Sequence, residues 1–350
     1  MPTRNCVGSI LGTAVGDAIG LPYEGLSRRR GVKLLGPPER HRFLFGRGMA
    51  SDDTEHTCLV AQALIATAGE PDRFSRDFAK RLRWWLLSLP AGIGYATLRA
   101  IFRLWLGFSP SRSGVFSAGN GPAMRAAILG AAIAGQEELC RLVEASTVVT
   151  HRDPKALHGA LAVATAAQMA AESGSPAPAE FLARLKLYLN GEGEELLARV
   201  ERAIQSLAAG ESTQLFAESL GQGRGVSGYV LACVPVVIHA WLAQPLGCRA
   251  AVFSVDECGG DTHSIAAMVG GVVGAAVGKE GIPEEWLGGV CEWPGTVAWM
   301  ERLAEQLEEV LQSREPAAPL TLPYWKVLPR NLLFLLVVFA HVGRRLLPPY

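Results

Sequence analysis

Two short stretches carry the side chains best able to do chemistry. Residues 50–57 read ASDDTEHT, with the adjacent acids Asp52 and Asp53 opening an apolar-periodic block. Residues 259–266 read GGDTHSIA, where Asp261 and His263 stand two positions apart ahead of a second such block. A lone Asp or Ser at a helix start is ordinarily an N-cap, accepting hydrogen bonds from the free N–H groups of the first turn. Ser51, Asp52, Asp53 and Thr54 instead line up four oxygen-bearing side chains where a cap needs one. Gly259 and Gly260 add a backbone that lets something approach closely. Hard cations want several oxygen ligands from more than one chain segment, so the pair of stretches is a candidate metal or catalytic site.

Three weaker signals accompany them. Glu24, in GDAIGLPYE, is a third acid in a turn after an apolar helix and by itself says almost nothing. In VFSAGNGPAMRAA (115–127), Ser117, Gly119, Asn120 and Gly121 form a glycine-rich loop leading into a helix, able to aim backbone N–H groups at a phosphate. His151, in THRDP, sits at another helix start ahead of Pro154 and alone reads as a capped or surface histidine.

The elements that must position these residues are almost all helices. Apolar residues recur at helical spacing over 6–20, 55–68, 73–87, 122–134, 137–149, 155–172, 179–189, 194–209, 226–243, 262–278 and 297–313. Strand-like alternation is confined to pieces such as 42–45 and 251–255, and Gly and Pro punctuate between the blocks. The spacing predicts a mostly-α domain of ten or more helices. Gly270, Gly274 and Gly278 fall four apart; each glycine weakens a helix by about 1 kcal/mol relative to alanine, so close approach of a second helix must offset the loss. Residues 314–330 mix Pro and charge and read as a linker to an additional C-terminal segment.

Composition narrows the function classes. The 350 residues carry 33 basic and 33 acidic side chains, a balance that argues against a dedicated nucleic-acid binder. The densest basic run, 73–83, interleaves with Phe74, Phe78, Leu82 and Trp85 as an amphipathic helix with a solvated face. Seven scattered cysteines with no CxxC favour a reducing compartment, hence a cytoplasmic location, and Cys258 reads as a buried structural thiol. The N-terminal apolar stretch meets Asp17 and Glu24 and offers no A-x-A cleavage site, so it reads as the first helix of the domain. The apolar run 332–340 is nine residues, well below the ~20 a bilayer span needs. No transmembrane span is therefore expected. The segment should pack on the domain or pair two copies, and its deletion should leave the metal site working.

Taken in order, GDAIGLPYE, SDDTEHT, GIGYATLRAI, SAGNGPAMR, THRDPKA and GGDTHSIAAMVGGVVGA resemble the ADP-ribosylglycohydrolases, including the dinitrogenase reductase-activating glycohydrolases. The resemblance covers about residues 4–313. It implies a single all-α orthogonal multi-helix domain, here 1–314, with 315–350 as linker and apolar tail. It also implies two divalent cations, Mg2+ or Mn2+. By motif position the candidate metal ligands are Ser51, Asp52, Asp53, Asp261, His263 and Ser264. Glu24, Asp52 and Asp53 are the candidate catalytic carboxylates. Ser117, Gly119, Asn120, Gly121 and His151 would contact the ADP-ribose diphosphate and ribose. The implied reaction is hydrolysis of the C1″ N- or O-glycosidic bond of an ADP-ribosylated protein or small conjugate.

Three positions depart from the family pattern. Ser51 and Ser264 replace threonines and keep the hydroxyl. His263 replaces an aspartate expected to touch both metals, which leaves the second cation site open. We expect neutral His263 to coordinate a metal through one ring nitrogen. Two rival readings stand beside the hydrolase: a hydrolase of another ribosyl nucleoside or nucleotide conjugate, and a catalytically silent ADP-ribose-binding homologue.

Overall fold

Glycine decides the centre of this molecule. The first helix, Cys6–Gly20, places Gly8, Gly12, Gly16 and Gly20 four residues apart along one face. It runs antiparallel against the helix Thr262–Val277, and the two backbones touch. A Cβ on Gly12 would lie 2.1 Å from the carbonyl oxygen of Gly270, and one on Gly8 would lie 2.1 Å from that of Gly274. Gly16 meets the Ala266 carbonyl at the same 2.1 Å, and Gly20 approaches that of Thr262. The close approach expected of Gly270 and Gly274 is present, and its partner is a matching row of small residues. Gly278 does something else: at φ 69° it ends the helix.

This pair forms the middle of the domain in the computed structural model, which describes residues 5–347. Positions 1–4 and 348–350, which the expected domain and tail include, lie outside the described residues. Among the described residues there are eighteen α-helices and no strand, only isolated β-bridges. Helices Asp52–Thr67, Ala127–Ala132, Pro154–Ser173, Val230–Ala243 and Val297–Ser313 pack around the pair. One apolar cluster runs through all of them. The basic run lies on helix Pro71–Leu87, which buries Phe74, Phe78, Leu82 and Trp85 as its spacing requires.

Two local expectations fail. Residues 251–255 are helical, within Cys248–Asp256, because Ala251, Val252 and Val255 share the buried face of a short helix that alternation alone mimics. The span 314–330 is not a linker throughout. A helix begins at Tyr324, directly after Pro323, and continues to Arg345 for 22 residues. Sequence composition hid it because Pro329 lies inside it and Arg330 and Asn331 interrupt the apolar run. Those two polar residues are buried and hold the helix on the domain. The Arg330 guanidinium grips Glu292 and donates to the Ala50 carbonyl at 2.5 Å, while Asn331 donates to the Ser88 carbonyl at 2.8 Å. By length and apolar composition the helix could cross a bilayer, although its inner face packs on Phe43, Met49 and Leu21.

Candidate active site

The antiparallel glycine pair brings the end of the first helix to the start of Thr262–Val277, and this juxtaposition builds the site. Asp17, fully buried near the end of the first helix, reaches across to the loop that opens Asp52–Thr67. Its carboxylate accepts from the Ser51 N–H and hydroxyl, both at 2.7 Å, and from the Thr54 hydroxyl at 2.6 Å. The cap of that helix is therefore supplied from another helix, and Asp52 and Asp53 are left in the first turn with nothing to cap. Asp17 was not singled out from the sequence. An acid in an apolar, otherwise buried helix face was the signal available.

The second carboxylate cluster is positioned by glycines in the left-handed region. Gly259 and Gly260 have φ of 70° and 84°, and a Cβ on Gly260 would sit 2.2 Å from the Val226 carbonyl oxygen. The Gly260 N–H donates to the Leu26 carbonyl at 2.9 Å, and the Gly25 N–H to the Gly260 carbonyl at 2.7 Å. That ladder fixes Glu24 beside Asp261. Asp261 caps no N–H of its helix with its side chain; its carboxylate accepts from the Asn120 amide at 2.8 Å.

His263 stands among the acids. Its Nε2 lies 3.3 Å from Asp53, and its Nδ1 lies 3.4 Å from Asp261 and 3.8 Å from Glu24. Burial by itself would lower the imidazole's pKa, but Glu24, Asp53, Asp261 and Asp52 outweigh it and hold the ring well above its ordinary value. Asp52 is pushed well above the usual carboxylate range by burial and by the charge of Asp53. Asp53 is raised to about 8, chiefly by burial, with His263 pulling the other way.

Buried acids this close to one another need a compensating charge. One oxygen of Asp52, one of Asp53 and Nδ1 of His263 are buried with no hydrogen-bond partner. Ligand atoms of Asp52, Asp53 and His263 all lie within 4.8 Å of one another, so this group could hold a metal ion. Two carboxylates and an imidazole suit a divalent cation once the cation displaces the proton that the surrounding acids hold on the ring, so the neutral His263 expected from the sequence is not the form the metal-free site favours. Ser51 and Ser264 flank it, the Ser264 hydroxyl donating to Asp53 at 3.3 Å.

A cleft of about 480 Å3 opens onto these residues. Its wall includes Glu24, Asp52, Asp261, His263 and Ser264 together with Ser117, Gly119, Asn120, Gly121 and His151. Ser51 and Asp53 do not line it, although Asp53 lies 3.3 Å from Nε2 of His263, which does. The glycine loop differs from expectation in one respect. It leads into a 3-10 turn, Ala123–Arg125, and then a six-residue helix, Ala127–Ala132, so no long helix dipole points at the cleft. The glycines instead make room for His151: a Cβ on Gly121 would lie 2.9 Å from its ring, and one on Gly119 would lie 3.3 Å away.

His151 is buried, and its pKa is lowered to about 3 by burial and by the charge of Arg125. Arg125 is a fully buried guanidinium that donates to the Thr150 hydroxyl at 2.7 Å and to the Ser146 carbonyl at 2.9 Å. The Thr150 hydroxyl also lies 2.9 Å from Nδ1 of His151. Nε2 of the ring faces Gly119. His151 is thus a neutral imidazole in the cleft wall, with one donor and one acceptor nitrogen. Neither Arg125 nor Thr150 was legible as part of the site. The aromatics Tyr95 and Phe116, both largely exposed, stand at the mouth of the cleft and were also missed.

The family model described as ADP-ribosylglycohydrolase matches residues 2–317. The chain belongs to the ADP-ribosylglycohydrolase family. An uncharacterized protein of Archaeoglobus fulgidus is 34% identical over 321 residues, covering 88% of this chain and 96% of its own. The ADP-ribosyl-[dinitrogen reductase] glycohydrolase of Rhodospirillum rubrum is 27% identical, with 80% and 88% covered. Human ADP-ribosylhydrolase ARH3 is 26% identical, with 80% and 87% covered. A solved ADP-ribosylglycohydrolase-related protein complex shares the fold at a TM-score of 0.61 and 24% identity, covering 88% of this chain and 98% of that one. The all-α architecture expected of an ADP-ribosylglycohydrolase is the one observed, and the family makes the chain a hydrolase of ADP-ribosyl bonds. The family match ends just before the long C-terminal helix.

Proposed function

We propose that the cleft releases ADP-ribose from an ADP-ribosylated protein or small conjugate by hydrolysing the C1″ bond, with Mg2+ or Mn2+ held by Asp52, Asp53 and His263. Asp261, Ser51 and Ser264 complete the polar shell around that group. The observation that carries the reading is the group of buried, unpartnered atoms on Asp52, Asp53 and His263, of which Asp52 and His263 line a cleft that His151 also lines.

The chain's own residues divide the work. Asn120 holds Asp261 in place, and Asp17 holds Ser51 and Thr54, so the acids are fixed before substrate arrives. The neutral His151 ring and the small residues Ser117, Gly119 and Gly121 form a polar wall that admits a diphosphate without adding bulk. Tyr95 and Phe116 offer exposed rings on which a purine base can stack. Glu24 is half-exposed at the cleft wall, so it can exchange protons with solvent and serves as the acid or base at the leaving group. The remaining carboxylates stabilise the positive charge that develops on the ribose ring. A bound divalent cation would supply orientation of the ribose hydroxyls and a water of lowered pKa.

His263 is the observation that favours a second reading, in which another ribosyl nucleoside or nucleotide conjugate is the substrate. Assaying ADP-ribose release from arginine-linked, serine-linked and free-nucleotide-linked substrates, with and without chelator, separates the two. Metal-dependent release from a protein-linked substrate supports the first reading. Turnover of the free conjugate alone supports the second, and no turnover of any would leave a binding protein. We place the reaction in the cytoplasm, a reading supported by seven scattered cysteines and no disulfide among the described residues.

A further inference from the structure

The C-terminal helix, Tyr324–Arg345, is amphipathic the wrong way round for a solvated surface. Its inner stripe carries polar side chains that bond to the domain. Arg330 binds Glu292, Glu55 and the Ala50 carbonyl; Asn331 binds Ser88; His341 meets the Phe43 carbonyl; and Arg345 donates to the carbonyls of Pro22 and Glu24. Its outer stripe, at spacings of seven, four, three and seven residues, is apolar: Trp325, Leu332, Leu336 and Phe339, continuing into Leu346 beyond the helix end. Leu336 and Phe339 are each 66% exposed. A second apolar projection lies alongside. Phe43 packs on Phe334 and His341 of the helix, and two residues further on Phe45, at the tip of the Leu44–Arg47 turn, is 99% exposed.

Charge is distributed just as unevenly. In a chain of zero net charge, residues 25–51 carry seven basic side chains and one acid, Glu39. Residues 316–350 carry four basic side chains and no acid. These two segments pack on each other, so the exposed Arg29, Lys33, Arg40, Arg47 and Arg344 all belong to the structure that bears the apolar stripe.

We propose that this face docks the protein on an anionic lipid surface, with the helix lying in the interface plane and Phe45 inserting beside it. A helix with one apolar stripe and flanking basic residues is the form suited to that environment. The helix does not stand across the bilayer, because that would strip Arg330, Asn331, His341 and Arg345 of the partners just named. Charge decides against a second copy of the chain as the occupant. Pairing two such faces would bring like charges together, whereas an anionic headgroup layer complements them. The proposal is independent of the reaction in the cleft.

Flotation of the full-length protein with phosphatidylcholine vesicles, and with vesicles in which about a third of the lipid is phosphatidylserine, tests it. Binding is expected to the anionic vesicles only, and to weaken as salt is raised. Leu336→Asp with Phe339→Asp should reduce binding at least tenfold, since both lie outside the domain contact and leave the fold intact by circular dichroism. Arg29→Glu with Arg47→Glu should weaken it about fivefold or more per site. Absence of binding to anionic vesicles overturns the proposal. So does a dimer in light scattering that the Leu336 and Phe339 substitutions dissociate, because the face would then be taken by a second copy.

Discussion

At the scale of single residues, His263 and His151 are two histidines driven in opposite directions by their neighbours. Acids surround His263, while Arg125 stands behind His151. If His263 is a ligand, replacing it changes metal binding in a defined order. Imidazole in place of a carboxylate removes a negative charge from the shell and suits transition metals better than Mg2+. Calorimetric titration should show tighter Mg2+ binding in His263→Asp and affinity lower by about tenfold or more in His263→Ala. Matching isotherms for wild type and His263→Ala would remove the histidine from the ligand set.

His151 makes a pH prediction whose sign follows from its depressed pKa. In the unfolded chain the ring protonates near its ordinary value of about 6.5, while the folded protein keeps it neutral down to about 3. The associated stability is present above pH 6.5 and is lost as pH falls toward 3. Between pH 7 and pH 5 that amounts to about 2 kcal/mol at most. Urea unfolding of His151→Gln should show a correspondingly smaller loss over the same interval. An equal loss in both proteins would mean that the buried ring does not resist protonation.

At the scale of elements, the contact between Cys6–Gly20 and Thr262–Val277 sets both stability and site geometry. Adding one methyl at Gly12 or Gly270 forces it onto a carbonyl oxygen of the facing backbone, which cannot rotate away. Overpacking of this kind costs about 3 kcal/mol or more, and the helices must separate to accommodate it. Gly12→Ala should therefore lower the melting temperature and also weaken metal binding, because Asp17 and Asp261 ride on the two helices. A variant with wild-type melting would show that the pair can slide without cost. Gly25→Ala, at a position with open space around it, is the fitting control for a glycine whose constraint is φ alone.

At the scale of the whole molecule, the C-terminal helix is structural as well as a docking face. Arg330 places a buried guanidinium against Glu292 and Glu55 and holds the Ala50 carbonyl, one residue before Ser51. Removing one partner of a buried pair leaves the other charge uncompensated, at a cost of about 3–5 kcal/mol. Arg330→Met should destabilise the protein by that order in denaturant unfolding. Truncation before Tyr324 should do the same and disturb the metal loop as well. Unchanged stability in Arg330→Met would mean that Glu292 and Glu55 find other partners.

The sequence by itself determined the helical class, the ordered motifs and the residue types at the site. Spacing of three and four residues is a local property, and the acids at 52, 53 and 261 announce themselves by exceeding what a cap needs. It also carried the glycine row at 270 and 274. Only the tertiary structure decided which helix those glycines meet, that Asp17 caps a helix it does not belong to, and that burial and the charge of Arg125 keep His151 neutral. Each of these is a contact between residues tens to hundreds of positions apart, with no periodicity to mark it. The C-terminal helix escaped for a related reason. Its polar residues face inward, and in a sequence Arg330 and Asn331 look like solvent-exposed breaks until Glu292, Glu55 and Ser88 are seen to receive them.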